Sequence, residues 1–182
     1  MNTQDKRVRR TKKLIKNSLA KLMTTKELRN ISIKELTDEA DISRGTFYTH
    51  YMDIYDLYEQ MENEFIEDMS SLIIEDPADE YYLTYEKIID YVHNNADICR
   101  MFMDSGRYRD KFSKFFEERY TAIVKYEMKT DYIKEEWRYM IRYQSEGFIA
   151  LLKLWLDSDF AFSRDKLLKV VLDLDDVIDP LF

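Results

Sequence analysis

The nine residues from Ser43 to Tyr51 read Ser-Arg-Gly-Thr-Phe-Tyr-Thr-His-Tyr and hold no carboxylate, in a chain where acids outnumber bases. Such a set suits a polyanion. Arg44, Tyr48 and His50 can reach phosphates or base edges, Ser43, Thr46 and Thr49 add short hydroxyls, and Gly45 lets another backbone come close. Little other chemistry is on offer. The two histidines, His50 and His93, are far apart, Cys99 is the single cysteine, and no Cys/His group has metal-ligand spacing. Glycine-rich phosphate loops and a Gly-x-Ser-x-Gly signature are absent. The acidic run from Glu62 to Asp68 falls where a solvated helix face is expected. No catalytic residue, metal or cofactor is therefore expected. Cys99 reads as a small buried side chain, and His93 as a structural residue near a helix end.

The elements that must position Ser43–Tyr51 can be read around it. Ser32 is a good N-cap with Glu35 three residues on, the pattern of a capping box. Ile33, Leu36 and Ala40 then recur at helical spacing, Asp41-Ile42 fits a break, and Ser43 caps a second short helix that points Phe47 inward. Upstream, Val8, Leu14, Ile15, Leu19, Leu22 and Met23 predict a first helix over about 7–23, with Arg9, Arg10, Lys12 and Lys13 crowding its first half. Thr24 to Asn30 is a short connection. Downstream, Asp53 is a plausible N-cap with Asp56 favouring the positive helix end. Ile54, Leu57, Tyr58, Met61, Phe65, Met69, Leu72 and Ile73 then predict one long helix to about residue 74.

Composition narrows the class. The 182 residues include only three Gly and two Pro, which suits long helices and short connections and argues for an all-α chain. With 35% charged residues there is no long uncharged apolar run, so no membrane span is expected. No signal-peptide core follows the basic N-terminus, and a lone cysteine fits a reducing compartment, so a cytoplasmic protein is expected. The net charge of −8 is unevenly spread. Of 28 basic and 36 acidic residues, residues 1–51 hold 12 and 6, a balance of +6, which leaves −14 for the remainder. A basic end on an acidic body would turn that end toward a polyanion.

Asp76-Pro77 punctuates the chain. Beyond it, helices are expected near 80–94, 97–104, 108–128, 132–157 and 163–177, with turns at Gly106 and at 157–163. The helix over 132–157 is apolar on two sides. One stripe is Trp137, Met140, Ile141, Phe148, Leu151, Leu152 and Trp155; the other is Tyr139, Tyr143, Gly147, Ala150 and Leu154. One stripe can face a core, and the second needs another partner, which the small Gly147 and Ala150 would admit closely. Leu167, Leu168, Val171 and Leu174 give the last helix its apolar face. Aromatic residues are frequent throughout the body, as core or as the lining of a cavity with Tyr hydroxyls as handles.

Taken together, Ser32-Ile33, the helix Lys34 to Ala40, the run Ile42 to Tyr48 and His50-Tyr51 resemble the DNA-binding domain of the tetracycline-repressor (TetR) family of bacterial transcription regulators. The resemblance is close over about the first third of the chain. Asp41 stands where the family commonly has a glycine, and Ile54 where a basic residue is usual, which removes one phosphate contact. The resemblance implies an N-terminal three-helix helix-turn-helix domain, residues 1–52, and a helical dimerisation and effector domain, residues 53–182, joined through a connecting helix over 53–75. It implies a homodimeric repressor whose recognition helices enter successive major grooves about 34 Å apart on a pseudo-palindromic operator. Release would come from a small-molecule effector or a protein co-regulator. Arg10, Ser32, Ser43, Arg44, Gly45, Thr46, Tyr48, Thr49 and His50 are the DNA-contact candidates. Tyr143, Gly147, Ala150, Leu151, Leu154, Leu167, Val171 and Leu174 are those for the dimer, and Tyr85, Phe102, Phe112, Phe116, Tyr120 and Trp137 those for an effector pocket. The rival reading, a helical interaction module with no affinity for DNA, predicts no salt-dependent DNA binding.

Overall fold

The computed structural model describes residues 3–72, 82–103 and 106–178. Among these residues the chain forms nine α-helices and no strand: α1 Thr3–Met23, α2 Ile33–Glu39, α3 Arg44–Tyr48, α4 Ile54–Leu72, α5 Tyr82–Asn94, α6 Ala96–Met103, α7 Gly106–Glu127, α8 Glu135–Asp157 and α9 Arg164–Ile178. A 3-10 turn at Leu28–Asn30 precedes α2. The expected all-α architecture holds. Asp76-Pro77 and the last residues expected of the long helix lie outside the described residues. Gly106, expected in a turn, is instead the first residue of α7.

Packing divides the described residues into two compact units, one running to Glu67 and including Asp97–Phe102, the other formed by Asp68–Ala96 and the chain from Met103. In the first, Ile15, Leu19, Leu36, Phe47 and Leu57 are fully buried, and α1 packs on α2. In the second, α7 lies along α8 while α5 contacts both α8 and α9, with Ile88, Ile89, Phe116, Leu152 and Leu156 at the centre. Arg164 ties the start of α9 to α5: its Nε and Nη2 donate to the two Asp90 oxygens at 2.7 and 3.0 Å, and Nη2 also reaches Glu86 at 2.8 Å. That guanidinium holds the Asp90 carboxyl below its ordinary range.

Three helices end in the same hydrogen-bonded turn without a glycine. After α2, the amide of Ile42 donates to the Thr37 carbonyl at 3.0 Å and that of Asp41 to Asp38 at 3.3 Å, with Asp41 left-handed at φ 50°. Thr130 and Lys129 repeat the pattern after α7, and Phe160 and Asp159 after α8. This is the Schellman arrangement, which normally takes Gly at the left-handed position because an L side chain is strained there.

Candidate functional site

The helix-turn-helix expected from sequence is present. The Ser32 hydroxyl accepts from the Glu35 amide at 3.2 Å, and the Ser43 hydroxyl from the Thr46 amide at 3.0 Å. Both serines are thus committed to starting a helix. The Glu35 carboxyl is lowered first by Lys26 and also by the Ser32 amide, completing the capping box. In α3, Phe47 is fully buried and makes an edge contact with Tyr48 at 5.5 Å. Arg44, Gly45, Tyr48 and Thr49 are exposed, and Thr46 and His50 are half-buried. A Cβ built on Gly45 would meet only the Ser43 hydroxyl, at 3.7 Å, an ordinary contact. Nothing inside the fold requires glycine there.

The flanking helices fix this surface. Asp53 caps α4 by accepting from the amides of Tyr55 and Asp56 at 2.8 and 2.9 Å, while Asp56 accepts from the Met52 amide at 2.8 Å. The Met52 amide, and then Gln60, hold the Asp56 carboxyl below its ordinary range. Ile54 is buried, so the position where a basic residue was looked for serves the core, and Tyr55 is the exposed neighbour. From α1, Lys12 lies 5.6 Å from the ring centre of buried Tyr51, joining the basic half of that helix to the end of the reading segment. Arg10 is exposed. Lys16, Lys21 and Lys26 form ion pairs with Glu64, Glu39 and Glu35, so part of the basic excess is balanced within the unit.

The two stripes of α8 separate as expected. Trp137, Ile141, Phe148, Leu152 and Trp155 are buried, whereas Tyr139 and Tyr143 are each 72% exposed and Leu154 is 66% exposed. Gly147 and Ala150 are also exposed, and a Cβ on Gly147 would meet nothing within 4 Å. On α9, Leu174 and Val177 are exposed, while Leu167 and Val171 are buried inside the chain. Between the two helices runs a groove of about 630 Å³, lined among others by Tyr120, Tyr143, Gln144, Phe148, Leu151 and Asp175.

Of the aromatic residues read as an effector pocket, Tyr85, Phe116 and Tyr120 come together. Their hydroxyls and rings pack with Phe148, which stands edge-on to Tyr85 at 4.8 Å and to Phe116 at 5.2 Å. Phe112 stacks on Phe116 at 6.5 Å. The void beside this cluster is about 10 Å³, the room of a single water at most. Phe102 packs elsewhere, on Phe65 at 4.7 Å and Tyr58 at 5.7 Å in the first unit. Trp137 lies at the start of α8 under the Lys134 ammonium, 4.3 Å from its ring centre.

Sequence reasoning missed the polar centre of the second unit. Gln144 and Asp175, 6% and 5% exposed, lie side by side, with Gln144 Nε2 donating to Asp175 Oδ1 at 3.5 Å. Tyr85 and Tyr120 share a hydrogen bond between their hydroxyls. Burial, then Tyr120 and Asp175, raise the Tyr85 phenol well above its usual value, so it stays protonated and donates. The only signal in the sequence was an acid at a position where the α9 periodicity calls for an apolar residue. Among the described residues no cluster of His, Cys, Asp or Glu could hold a metal ion, and no helix is long and apolar enough to cross a membrane.

Comparisons with known proteins agree with this geometry. A family model described as a transcriptional regulator C-terminal region matches residues 79–174. The uncharacterised HTH-type transcriptional regulator YxbF of Bacillus subtilis (strain 168) is 20% identical over 167 residues, 88% of this chain. The chain spans 43% of that relative's length. Among solved structures, the dihydroxyacetone kinase operon activator DhaS matches with a TM-score of 0.62 over 94% of this chain and 97% of its own, at 19% identity, a likeness of fold.

Proposed function

Because this chain belongs to the TetR family of transcriptional regulators, we propose that it binds a pseudo-palindromic DNA operator as a homodimer, with α3 of each copy in a major groove. The observation that carries this reading is Gly45. It sits exposed in a short helix where alanine would fit and would favour the helix by about 0.5 kcal/mol, so its use points to a close approach from outside. Arg44, Thr46, Tyr48, Thr49 and His50 surround it as base-edge and phosphate contacts, with Arg10 as a backbone contact. Ser32 and Ser43 contribute through their caps. The second copy is assigned to the exposed stripe of α8 with Leu174 and Val177 of α9, since a symmetric operator needs two heads and this face leaves large apolar side chains uncovered.

The body would take the controlling signal in the bacterial cytoplasm and change the spacing of the heads. The closed cluster around Tyr85, Phe116 and Tyr120 favours a protein partner; the groove between α8 and α9 favours a small molecule. Repression, by covering a promoter, is the action assigned. One neighbour in fold is named an operon activator, and a reporter fused to the operator reads the sign directly.

The test measures affinity for the DNA upstream of the chain's own gene and for random duplex, at two salt concentrations. The specific duplex should bind about 1,000-fold or more tightly than the random one. Gly45→Ala should melt no lower than the parent yet bind the operator at least about tenfold more weakly, a loss on the scale of one base contact. Unchanged specific binding in Gly45→Ala and in Thr46→Ala with Tyr48→Ala would refute the assignment of the interface.

A further inference from the structure

The groove between α8 and α9 has a polar floor under an aromatic rim, and we propose that it binds a small organic ammonium compound, an aryl-alkyl amine in its protonated form, as the regulator's effector. The inference deepens the reading of the chain as effector-controlled and rests on it. The floor is made by Asp175 and Gln144, both buried and both lining the groove. Gln144 donates its Nε2 to Asp175, but its Oε1 is buried with no hydrogen-bond partner. A buried acceptor left unmatched is costly and signals a missing donor. An ammonium bearing N–H groups supplies donors to Gln144 Oε1 and to the Asp175 carboxylate together.

The walls choose the rest of the ligand. Tyr120 and Phe148 line the inner part and Tyr139 and Tyr143 the outer part, so a cation on the floor faces aromatic rings. Leu151, Leu174 and Ile178 complete an apolar wall for an aryl group. Charge sorts the sign. The one cation on the lining, Arg142, is held by Glu117 and, at 3.0 Å, by Glu146, while Glu146 and Asp175 put two carboxylates on it. An anion would meet a guanidinium already bound and two like charges; an ammonium meets the reverse. The volume, about 630 Å³, takes a molecule of drug size. Seated there, the ligand lies on the face assigned to the second copy and acts on subunit geometry directly.

The test titrates the full chain calorimetrically with three probes of one shape: 2-phenylethylamine, 2-phenylethanol and phenylacetate. The amine should bind at least about tenfold more tightly than the alcohol, the size of a partly desolvated cation–ring and carboxylate contact, and phenylacetate should bind most weakly. Asp175→Asn keeps the amide hydrogen bond and should remove the preference for the amine. Should that variant unfold, the probe series on the unaltered chain decides alone, and Tyr143→Ala, at an exposed position, should weaken the amine most. Equal affinity for amine and alcohol, tighter binding of phenylacetate, or no binding of the amine at millimolar concentration would overturn the inference. A groove filled by the second copy shows itself as that last outcome, and sedimentation then still reports the dimer. Failure of operator binding in the parallel DNA titration marks instead the failure of the functional reading.

Discussion

The α2–α3 segment and the α8–α9 face are built in opposite senses. Over Ser32–Tyr51, apolar Leu36, Ala40 and Phe47 are inside and the polar residues outside, so the segment is a finished surface that water or a polyanion can cover. Along α8 and α9 the large apolar Tyr139, Tyr143, Leu154, Leu174 and Val177 are outside, and the polar Gln144 and Asp175 are within. A soluble chain rarely leaves a contiguous apolar surface open. The first region works through what it exposes; the second awaits something that covers it. The difference teaches that one chain can carry two kinds of site, one read by charge and hydroxyls, the other by shape and burial.

The comparison can be broken most severely at Phe47. It is the fully buried anchor of α3, and Phe47→Ala should cost the first unit about 3–5 kcal/mol, read as a fall in the urea midpoint with loss of specific DNA binding. A loss under 1 kcal/mol, by the same scale, would mean that α3 is not held by its core side. Leu154→Glu tests the other region, because the site is exposed and the substitution should leave the single chain folded. It should weaken self-association at least about tenfold, since like charges would meet on a desolvated face, as read by sedimentation across a dilution series. An unchanged dimer would move the interface elsewhere. The smallest effect sharpens the contrast at the turn between α2 and α3. Asp41→Gly should stabilise by about 0.5–1 kcal/mol, because glycine removes the strain of the left-handed residue. A lower thermal midpoint would show that the Asp41 side chain does more than occupy the turn.

The first unit was the more legible because its signals are local. Ser32 with Glu35, Ser43, and Asp53 with Asp56 each announce a helix start within four residues, and the observed caps use those atoms. The two stripes of α8 were legible for a related reason: 23 residues give the helical period room to show itself. Other features depend on which distant helix arrives. Leu167 and Leu174 share one periodic face, yet the first is buried and the second exposed, because α9 meets the rest of its unit along only part of its length. Phe102 looks like any body aromatic in sequence, but it packs on Phe65. Asp175 carries the pattern of a solvated acid and is buried by Gln144 and the tyrosines, none of them near it in sequence. Gly106 misled because a glycine at the first position of a helix is as permissible as one in a turn.

The glycine-free helix ends bear on how this chain can change. Every codon for aspartate lies a single base change from a glycine codon, so at Asp41 and Asp159 the left-handed strain is one mutational step from release. At Lys129 two changes are needed. The chain therefore holds a reserve of stability within immediate reach, available to offset destabilising substitutions elsewhere, among them those that would reshape the reading residues of α3 for a new operator.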